Sequence, residues 1–478
     1  METAAKKKMR AEADMTKGSI IKCIILFALP LLAGNFFQQL YNMVDTWVIG
    51  QTGDAGAYSA VGSVGPITNI FIGLFSGLAS GAGVVISQYY GAEDYKKLSA
   101  AVHTSAVVTV ILSVVFTVLS LLLTPVMLKL MLRTTEGEIY PAARTYLLIY
   151  FSGTVFVLVY NMGAAMLRAV GDSKRPFYYL AVTAVINTVL DLVFVFTLDM
   201  GVAGVAYATV IAQAVSAVLT LITLLKTRLC VRINMREMKI DAGLLKKIIK
   251  VGIPAALQMA LTAFSNVFVQ SYISNVDSEQ TASLGGWTTY NKIDQFIFLP
   301  IQSIALAATT FVGQNLGAGN VARAKKGTYC SYLMATVVSV VLIIPIMLLS
   351  EDIAKIFNAN EDIVAHASLL LVYMTPFYLF SCVNQVFAAA MRGAGNSTAP
   401  MIIMLGCFIG VRQLYLYVVS TFITNKFLPI AFSYPVGWAA CCVAILVYYF
   451  AFFSFDKNKL LSEKKSAEQE NADKTVSL

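Results

Sequence analysis

Apolar segments of about 20 residues or more recur along the whole chain, separated by short polar stretches. Twelve such segments can be delimited, six in each half of the chain: residues 20–49, 58–87, 99–123, 143–166, 177–198, 202–225, 244–274, 281–311, 328–349, 363–390, 400–422 and 430–455. Each is long enough to cross a bilayer as a helix, some with tilt. The sequence lacks the alternation of apolar and polar residues that is typical of membrane β-strands. The pattern therefore predicts an all-α membrane protein with twelve transmembrane helices.

The second half of the chain repeats the first. Residues 164–176 read AAMLRAVGDSKRP and residues 388–400 read AAAMRGAGNSTAP, with six identical positions. Shorter matches recur at offsets of 224 or 226 residues: 88–92 with 314–318, Pro30 with Pro254, and Asn42 with Asn266. A duplicated helical half is typical of transporters whose two lobes rock about a central site. Because each half has an even number of helices, the two six-helix lobes are expected to be related by a pseudo-two-fold axis along the membrane normal.

Composition and charge support this topology. Hydrophobic residues make up 58% of the sequence and charged residues 13%, too little charge to cover a soluble fold. If the amino terminus is cytoplasmic, 28 of the 35 basic residues lie on the cytoplasmic side and four outside. An excess of Lys and Arg in cytoplasmic loops sets orientation, so we expect a multi-pass protein of the cell membrane with both termini cytoplasmic. The net charge of +9 follows from this topology and requires no nucleic-acid partner.

The same pattern divides the chain into five parts. A cytoplasmic segment (1–19) precedes the amino-terminal lobe (20–225). A basic cytoplasmic loop (226–243) leads to the carboxy-terminal lobe (244–455), and a polar cytoplasmic tail (456–478) follows. The tail is polar enough to be disordered.

Several classes of chemistry are excluded. The seven cysteines have neither disulfide nor ligand spacing, and with two histidines we expect no metal site. The sequence has no phosphate loop for ATP hydrolysis, and no HExxH or GxSxG motif of a membrane-embedded enzyme. We therefore expect no enzyme activity, no cofactor and no obligate protein partner. The energy source is then an ion gradient, a partner subunit or the gradient of the substrate itself.

Polar residues within the apolar segments of the first half are the first candidates for a site. Asn187 and Asp191 are four residues apart on the fifth segment and share a helical face. On the first segment, spacings of three, four and three place four polar residues on one face: Asn35, Gln38, Asn42 and Asp45. A carboxylate inside a membrane is costly unless it faces a cavity or finds a partner, so Asp45 and Asp191 are candidates for a functional site. The alternatives to a functional role are that Asp45 is a solvated interfacial group and that Asp191 makes a structural hydrogen bond.

The second half offers a different set of polar residues. The seventh segment carries a polar face without an acid, which includes Gln258 and Asn266. Lys292 and Asp294, at i and i+2 on the eighth segment, do not face each other, so each either forms an ion pair with another helix or contacts substrate. Arg412 on the eleventh either neutralises Asp294 or contacts substrate. With the stripe on the first segment, these residues are the candidates for the substrate cavity: Asn35, Gln38, Asn42, Gln258, Asn266, Lys292, Asp294 and Arg412.

Several motifs resemble those of one transporter family. They are ALPLLAGNFFQQLYNMVDTWVIG on the first segment, which begins at Ala28, SQYYGAED and its partner GQNLGAGNVARAKKG, the doubled RxxGxSxxP, and GVAGVAYAT at 201–209. Together they resemble the multidrug and toxic compound extrusion (MATE) family, over essentially residues 19–455. The resemblance implies a V-shaped pair of six-helix lobes that exports organic cations and drugs in exchange for protons or sodium.

The resemblance also implies roles for particular residues. In one bacterial branch, proton-coupled and DinF-like, an acid on helix one, an Asn and an Asp four apart on helix five, and a Thr on helix six form the cation site of the amino-terminal lobe. The matching positions here are Asp45, Asn187, Asp191 and Thr209. The second lobe departs from the branch that uses carboxylates for sodium, since Asn384 and Gln385 stand on the tenth segment.

Two carboxylates held close together could share one proton, and a cationic substrate would compete with that proton for the same charge. Sodium is an alternative coupling ion, because carboxylate, amide and hydroxyl oxygens are hard ligands. The sequence does not choose between the two ions, and we favour protons; the resemblance implies a cationic, amphipathic small molecule as substrate. A lipid-linked precursor flippase of the same superfamily would need several basic residues in its cavity, whereas the segments hold mainly Lys292 and Arg412 against three acids.

Overall fold

The computed structural model describes residues 14–52, 55–132, 139–276 and 280–455, and their regular secondary structure is helical. The predicted tail 456–478 and most of the predicted segment 1–19 lie outside these ranges. The first half contains six membrane-spanning elements, numbered here in chain order: α1 (Ile20–Gln51), α2 (Ala55–Gly91), α3 (Tyr95–Leu132), α4 (Ile139–Ser152 with Thr154–Ala169), α5 (Lys174–Thr197) and α6 (Gly201–Lys226). The two parts of α4 meet at an angle of 47°.

The second half has the same plan. Its spans are α7 (Ala242–Ile273), α8 (Gln280–Gly317), α9 (Val321–Leu348), α10 (Glu361–Gly393), α11 (Thr398–Ile423) and α12 (Phe427–Ala451). A short helix, Ser350–Phe357, joins α9 to α10. In the described part of the chain, eleven helices are long and apolar enough to cross a membrane, and the bent pair in α4 makes twelve spans. The predicted all-α membrane fold is confirmed.

The duplicated motif is a helix stop. Gly171 and Gly395, at equivalent positions of the two copies, have φ of 95° and 99°. Beside them, the Asp172 N–H donates to Leu167 O at 3.0 Å and the Asn396 N–H donates to Met391 O at 3.0 Å. Such a bond, across five residues with a left-handed glycine, closes the last turn of a helix. The motif therefore ends α4 and α10 in the same way and starts α5 and α11.

Each half packs as a lobe, and the lobes meet along α2 and α7, with further contacts of α1 and α2 against α8. Small residues allow the backbones of α2 and α7 to approach closely. A Cβ on Gly77 would lie 2.3 Å from Ala256 Cα, and one on Gly81 would lie 2.5 Å from Gly252 Cα. Glycine and alanine at membrane helix interfaces have this effect in general.

Contact between the lobes is closest at one end of the bundle, and it extends along α1 and α8 as far as the rings of Phe36 and Phe296, whose centroids lie 5.7 Å apart. We call this closest end the basic end, where α2 and α8 finish and where residues 227–241 connect α6 to α7. Going from this end along α2, a Cβ on Gly73 would still touch Met259 Cβ at 3.2 Å, whereas one on Gly65 or Gly62 would meet no atom within 4 Å. The lobes therefore close at the basic end and diverge towards the other.

Two glutamines hold the basic end together, and we call this pair the clasp. Gln88 Nε2 on α2 donates to Gly393 O of the second lobe at 2.9 Å, and Gln314 Nε2 on α8 donates to Ala169 O of the first lobe at 2.9 Å. Both glutamines are buried. The clasp is reciprocal because donors and acceptors are equivalent positions of the two halves.

Glycines and the residues before α1 complete this closure. Gly91 lies against the Gln314 carbonyl and Gly317 against the Gln88 carbonyl, so closely that a Cβ at either glycine would collide with backbone. Met15 is buried here; its N–H donates to Gln314 Oε1 at 3.2 Å, and its carbonyl accepts from Asn315 Nδ2 at 3.2 Å.

Candidate functional site

The acid pair of the first lobe lies where α1, α5 and α6 meet. Asp45 is 6% exposed, and Asn187 and Asp191 are fully buried. The carboxyl group of Asp191 and the amide of Asn187 are immediate neighbours of the Asp45 carboxyl group. Thr209 Oγ1 lies 3.4 Å from Asp45 Oδ2 and also donates to Val205 O at 3.0 Å. The structure thus brings together all four residues expected to form the cation site.

Local packing explains why these side chains meet. Gly34 allows α1 to lie close to α5, since a Cβ there would be 3.1 Å from Leu180 Cδ1 and 3.5 Å from Phe177 Cα. Asp191 stands at the end of the regular part of α5, just before a π-helical turn over Val193–Thr197. Such turns often mark functional sites in helices.

The acid pair is closed off from solvent and lacks hydrogen-bond partners among the described residues. With both carboxyl groups ionised, several buried atoms have no hydrogen-bond partner: Asp45 Oδ1, both carboxyl oxygens of Asp191, and Oδ1 and Nδ2 of Asn187. Two adjacent buried carboxylates repel each other, and a shared proton or a small cation removes that repulsion. The alternative that Asp45 is a solvated interfacial group is wrong, because its side chain is buried. When both acids are ionised, neither carboxyl oxygen of Asp191 has a hydrogen-bond donor among the described residues.

Three tyrosines surround this pair, and the sequence reasoning missed them. Tyr41, Tyr146 and Tyr150 lie near Asp45, and the rings of Tyr146 and Tyr150 stack at 6.0 Å. The i, i+4 spacing of Tyr146 and Tyr150 was the available signal, since it places both rings on one face of α4.

The second lobe contains a carboxyl site of its own around Asp294 of α8. Tyr378 of α10 donates a short hydrogen bond to Asp294 Oδ1. The Tyr290 hydroxyl lies 3.0 Å from the Tyr378 hydroxyl and 3.5 Å from the same Oδ1. Asp294 is half-buried. Its other oxygen, Oδ2, accepts no hydrogen bond from the described residues and is not among the buried atoms without a partner, so it keeps accessible surface.

Arg412 does not neutralise Asp294. Its side chain is 2% exposed, and Nη2 donates to Ser265 Oγ at 2.6 Å and to Asn266 Oδ1 at 3.0 Å, both on α7. Its guanidinium carbon lies 4.7 Å from the centre of the Tyr434 ring. Arg412 therefore contacts polar groups of α7 and the face of an aromatic ring in place of Asp294.

The remaining cavity candidates are placed differently from one another. Gln258 is 5% exposed; its Oε1 accepts from Arg392 Nη1 at 3.3 Å and its Nε2 contacts Met404 Sδ at 3.0 Å, so it lies inside the second lobe rather than on a cavity surface. Lys292 is half-buried, and no hydrogen-bond or ion-pair partner is found for it among the residues described. On α1, Asn35 and Gln38 are half-buried and Asn42 is exposed.

Comparison with known proteins identifies the family. The MatE family profile matches residues 30–193 and 254–418, one block in each half of the chain and well over half of its length. The chain belongs to the MatE family. The resemblance in the motifs is thereby confirmed, and the two matched blocks start 224 residues apart, the same offset as the duplication.

Named relatives and solved structures agree with MatE membership. The probable multidrug resistance protein YoeA of Bacillus subtilis is 30% identical over 441 residues, 91% of this chain and 94% of that protein. Multidrug export protein MepA of Staphylococcus aureus is 24% identical over 395 residues, 82% and 86% of the two chains. An outward-facing multidrug resistance MATE family transporter of the MOP superfamily superposes with a TM-score of 0.86 at 23% identity, over 91% of this chain and 97% of that one. A MOP superfamily transporter from Pyrococcus furiosus gives the same values, and both likenesses confirm the MatE fold.

Proposed function

We propose that this protein is a secondary active antiporter of the cell membrane that exports amphipathic organic cations in exchange for protons. The observation that carries the proposal is the sealed acid pair, Asp45 and Asp191, set in one lobe of a two-lobed frame that closes at one end. Its relatives YoeA and MepA, named as multidrug resistance and multidrug export proteins, support the same assignment.

The geometry of the acid pair favours protons over sodium. Only four residues supply oxygens at the site among the described residues, Asp45, Asp191, Asn187 and Thr209. Sodium, a hard cation like Ca²⁺, prefers a larger shell of oxygen ligands, including water. A proton requires only two facing carboxyl oxygens.

The basic end is assigned to the cytoplasm, because loops rich in Lys and Arg remain on that side. The closed basic end and the diverging opposite end then correspond to an outward-open transporter. Protonation of the acid pair from outside neutralises the first lobe, and the two lobes then rock about α2 and α7 to expose the site to the cytoplasm. Loss of the proton inside and capture of the next cation return the protein to the outward-open form.

Transport by purified protein in liposomes tests the function. Methyltriphenylphosphonium is a suitable probe because it is a permanent amphipathic cation. A pH gradient should drive its uphill movement with the proton moving in the opposite direction, whereas a sodium gradient of equal size should not. Uphill transport driven by sodium at constant pH would assign the other ion, and no gradient-driven transport of any organic cation would contradict the antiporter proposal.

Orientation is tested by single cysteines at equivalent positions of the two lobes. Lys174 and Thr398 are the first residues of α5 and α11, 224 residues apart, and both are exposed. In a background without the native cysteines, Lys174→Cys and Thr398→Cys should react with an impermeant maleimide only from the cytoplasmic side. Labelling of either from outside intact cells would reverse the assignment.

A further inference from the structure

Asp294 is a carboxylate without an ion-pair partner in the part of the chain that the structure describes. Arg412, the partner considered for it, is bound by Ser265, Asn266 and the Tyr434 ring. A carboxylate within a membrane-spanning helix without a countercharge is costly, and such groups mark functional sites. The phenols of Tyr378 and Tyr290 compensate one oxygen only, and Oδ2 remains accessible. Oδ2 is therefore the carboxylate oxygen at which a ligand could bind.

The surroundings of this oxygen are aromatic. Trp287 lies 5.7 Å from Tyr290 and 5.3 Å from Tyr434 between ring centroids, and Trp438 lies 5.4 Å from Tyr378 and 5.7 Å from Tyr434. We call this group the aromatic wall; its members are Trp287, Tyr290, Tyr378, Tyr434 and Trp438. Trp287, Tyr290 and Tyr378 are buried. Tyr434 and Trp438 are half-buried and offer accessible ring surface, and Asp294 is half-buried as well.

A carboxylate beside several aromatic rings matches one class of ligand. Ring faces attract diffuse organic cations, such as quaternary ammonium and phosphonium groups, and the apolar rings bury the substituents of the cation. A small inorganic cation requires several oxygen ligands at short range instead. Tyr434 of this wall already has a cation beside it, since the Arg412 guanidinium carbon lies 4.7 Å from the centre of its ring.

We propose that Asp294 and the aromatic wall bind the cationic group of the transported molecule, at a site in the second lobe that is separate from the acid pair. The inference rests on the proposed function, because it names where the substrate of that antiporter binds. Tyr378 positions the carboxylate by donating to Oδ1, and Trp438 supplies the accessible face.

Equilibrium binding tests this site independently of transport. Purified protein in lipid nanodiscs is titrated with methyltriphenylphosphonium and with triphenylphosphine oxide, a neutral molecule of similar shape. The wild-type protein should prefer the cation. Asp294→Asn should weaken cation binding by about tenfold or more and remove the preference, while affinity for the neutral probe stays the same. Trp438→Leu should weaken both probes severalfold, and Trp438→Phe should restore most of the binding.

The controls separate the possible results. Asp352→Asn removes an exposed acid of the same lobe, in the short helix before α10, and should bind both probes as the wild type does. Unchanged cation preference in Asp294→Asn, with wild-type transport intact, would overturn this site and leave the antiporter proposal standing. Wild-type protein that transports no cation at all would instead remove the function on which the site rests. Asp294-dependent competition by NaCl but not by KCl would assign an inorganic cation and also overturn the proposal.

Discussion

The two lobes handle a buried carboxyl group in opposite ways. In the first lobe, Asp45 and Asp191 lie together, closed off from solvent, with three of their four oxygens lacking a hydrogen bond. In the second lobe, Asp294 stands alone, has one oxygen bound by phenols, and presents the other to an accessible aromatic surface. A sealed pair suits a proton, whereas an open carboxylate beside rings suits a bulky cation.

The two lobes differ in the positions of their acids but share the contacts that end their helices and hold them together. The clasp and the helix stops at Gly171 and Gly395 are equivalent in both copies. The acids are not: at an offset of 224 residues, Asp45 corresponds to Val269 and Asp191 to Tyr415. The parts that close and shape the lobes are thus duplicated, and the parts that carry charge are specific to each lobe.

This separation changes how coupling works. Competition of proton and substrate for the same carboxylate, expected from the sequence, requires the substrate to reach the acid pair. Because Asp191 is fully buried, a bulky cation does not contact it in this conformation. Each ligand then acts on the equilibrium between the two conformations of the lobes, which is enough for antiport if each binds one of them better.

The largest effect is expected from neutralising the acid pair. Asp191→Asn keeps the shape and hydrogen-bonding reach towards Asn187 but cannot ionise, so it resembles a permanently protonated site. Uphill export of methyltriphenylphosphonium in liposomes should fall to the level of protein-free liposomes. Asp45→Asn should behave likewise, and the double variant should be little worse than either, because the two residues act as one unit.

Two further substitutions complete that test. Asp191→Glu retains ionisation at the cost of one methylene group and should keep part of the activity. Normal export by Asp191→Asn, at wild-type protein levels in the membrane, would make Asp191 a structural residue.

A second effect, on the closed form of the basic end, is expected at the crossing of α2 and α7. It concerns a contact between the two lobes and not the acids in which they differ. Gly81→Ala would place a Cβ 2.5 Å from Gly252 Cα and 2.6 Å from Ile248 O, which are backbone atoms that cannot move aside. Overpacking of about 1–3 kcal/mol would lower the closed population by roughly 5- to 150-fold. Spin-label distances between Lys174→Cys and Thr398→Cys should lengthen at the basic end.

Gly65→Ala is the matched control, in the same helix. A Cβ at Gly65 meets no atom within 4 Å, so the distance distribution should remain that of the wild type. Equal effects of the two alanines would show that helix propensity, and not contact between the lobes, governs the closed form.

A smaller effect is expected from the clasp. Gln88→Met and Gln314→Met each remove one buried cross-lobe hydrogen bond, worth about 1 kcal/mol, and should raise the separated population at the basic end roughly fivefold. Gln51→Met, at the exposed end of α1, is the control. A shift in one variant only would mean that the closure is not reciprocal.

The spans could be predicted from sequence because hydropathy over about 20 residues is a strong local signal. The ends differ by a few residues: α2 runs to Gly91 and α8 to Gly317, beyond the predicted 87 and 311, since polar residues such as Gln88 and Gln314 stay helical where they bind the opposite lobe. The residues of the acid pair could be named from the family motifs, and their burial could not.

The aromatic wall could not be predicted, because its members come from three helices that are distant in sequence, α8, α10 and α12. Charge made Asp294 one of two possible partners of Arg412, the other being the substrate, whereas its hydrogen bonds go to Ser265 and Asn266. Gln258 stands on a polar face of α7, yet Arg392 uses its amide oxygen. In each case the partner is set by tertiary packing, which sequence spacing does not contain.

The central claim is that proton and substrate bind carboxylates in different lobes. Measuring methyltriphenylphosphonium affinity and proton-driven transport in both Asp191→Asn and Asp294→Asn tests it most directly. Asp191→Asn should bind the cation with nearly wild-type affinity and lose proton-driven transport, whereas Asp294→Asn should lose affinity by about tenfold or more. A loss of cation affinity in Asp191→Asn equal to that in Asp294→Asn would place both ligands on one site and contradict the account.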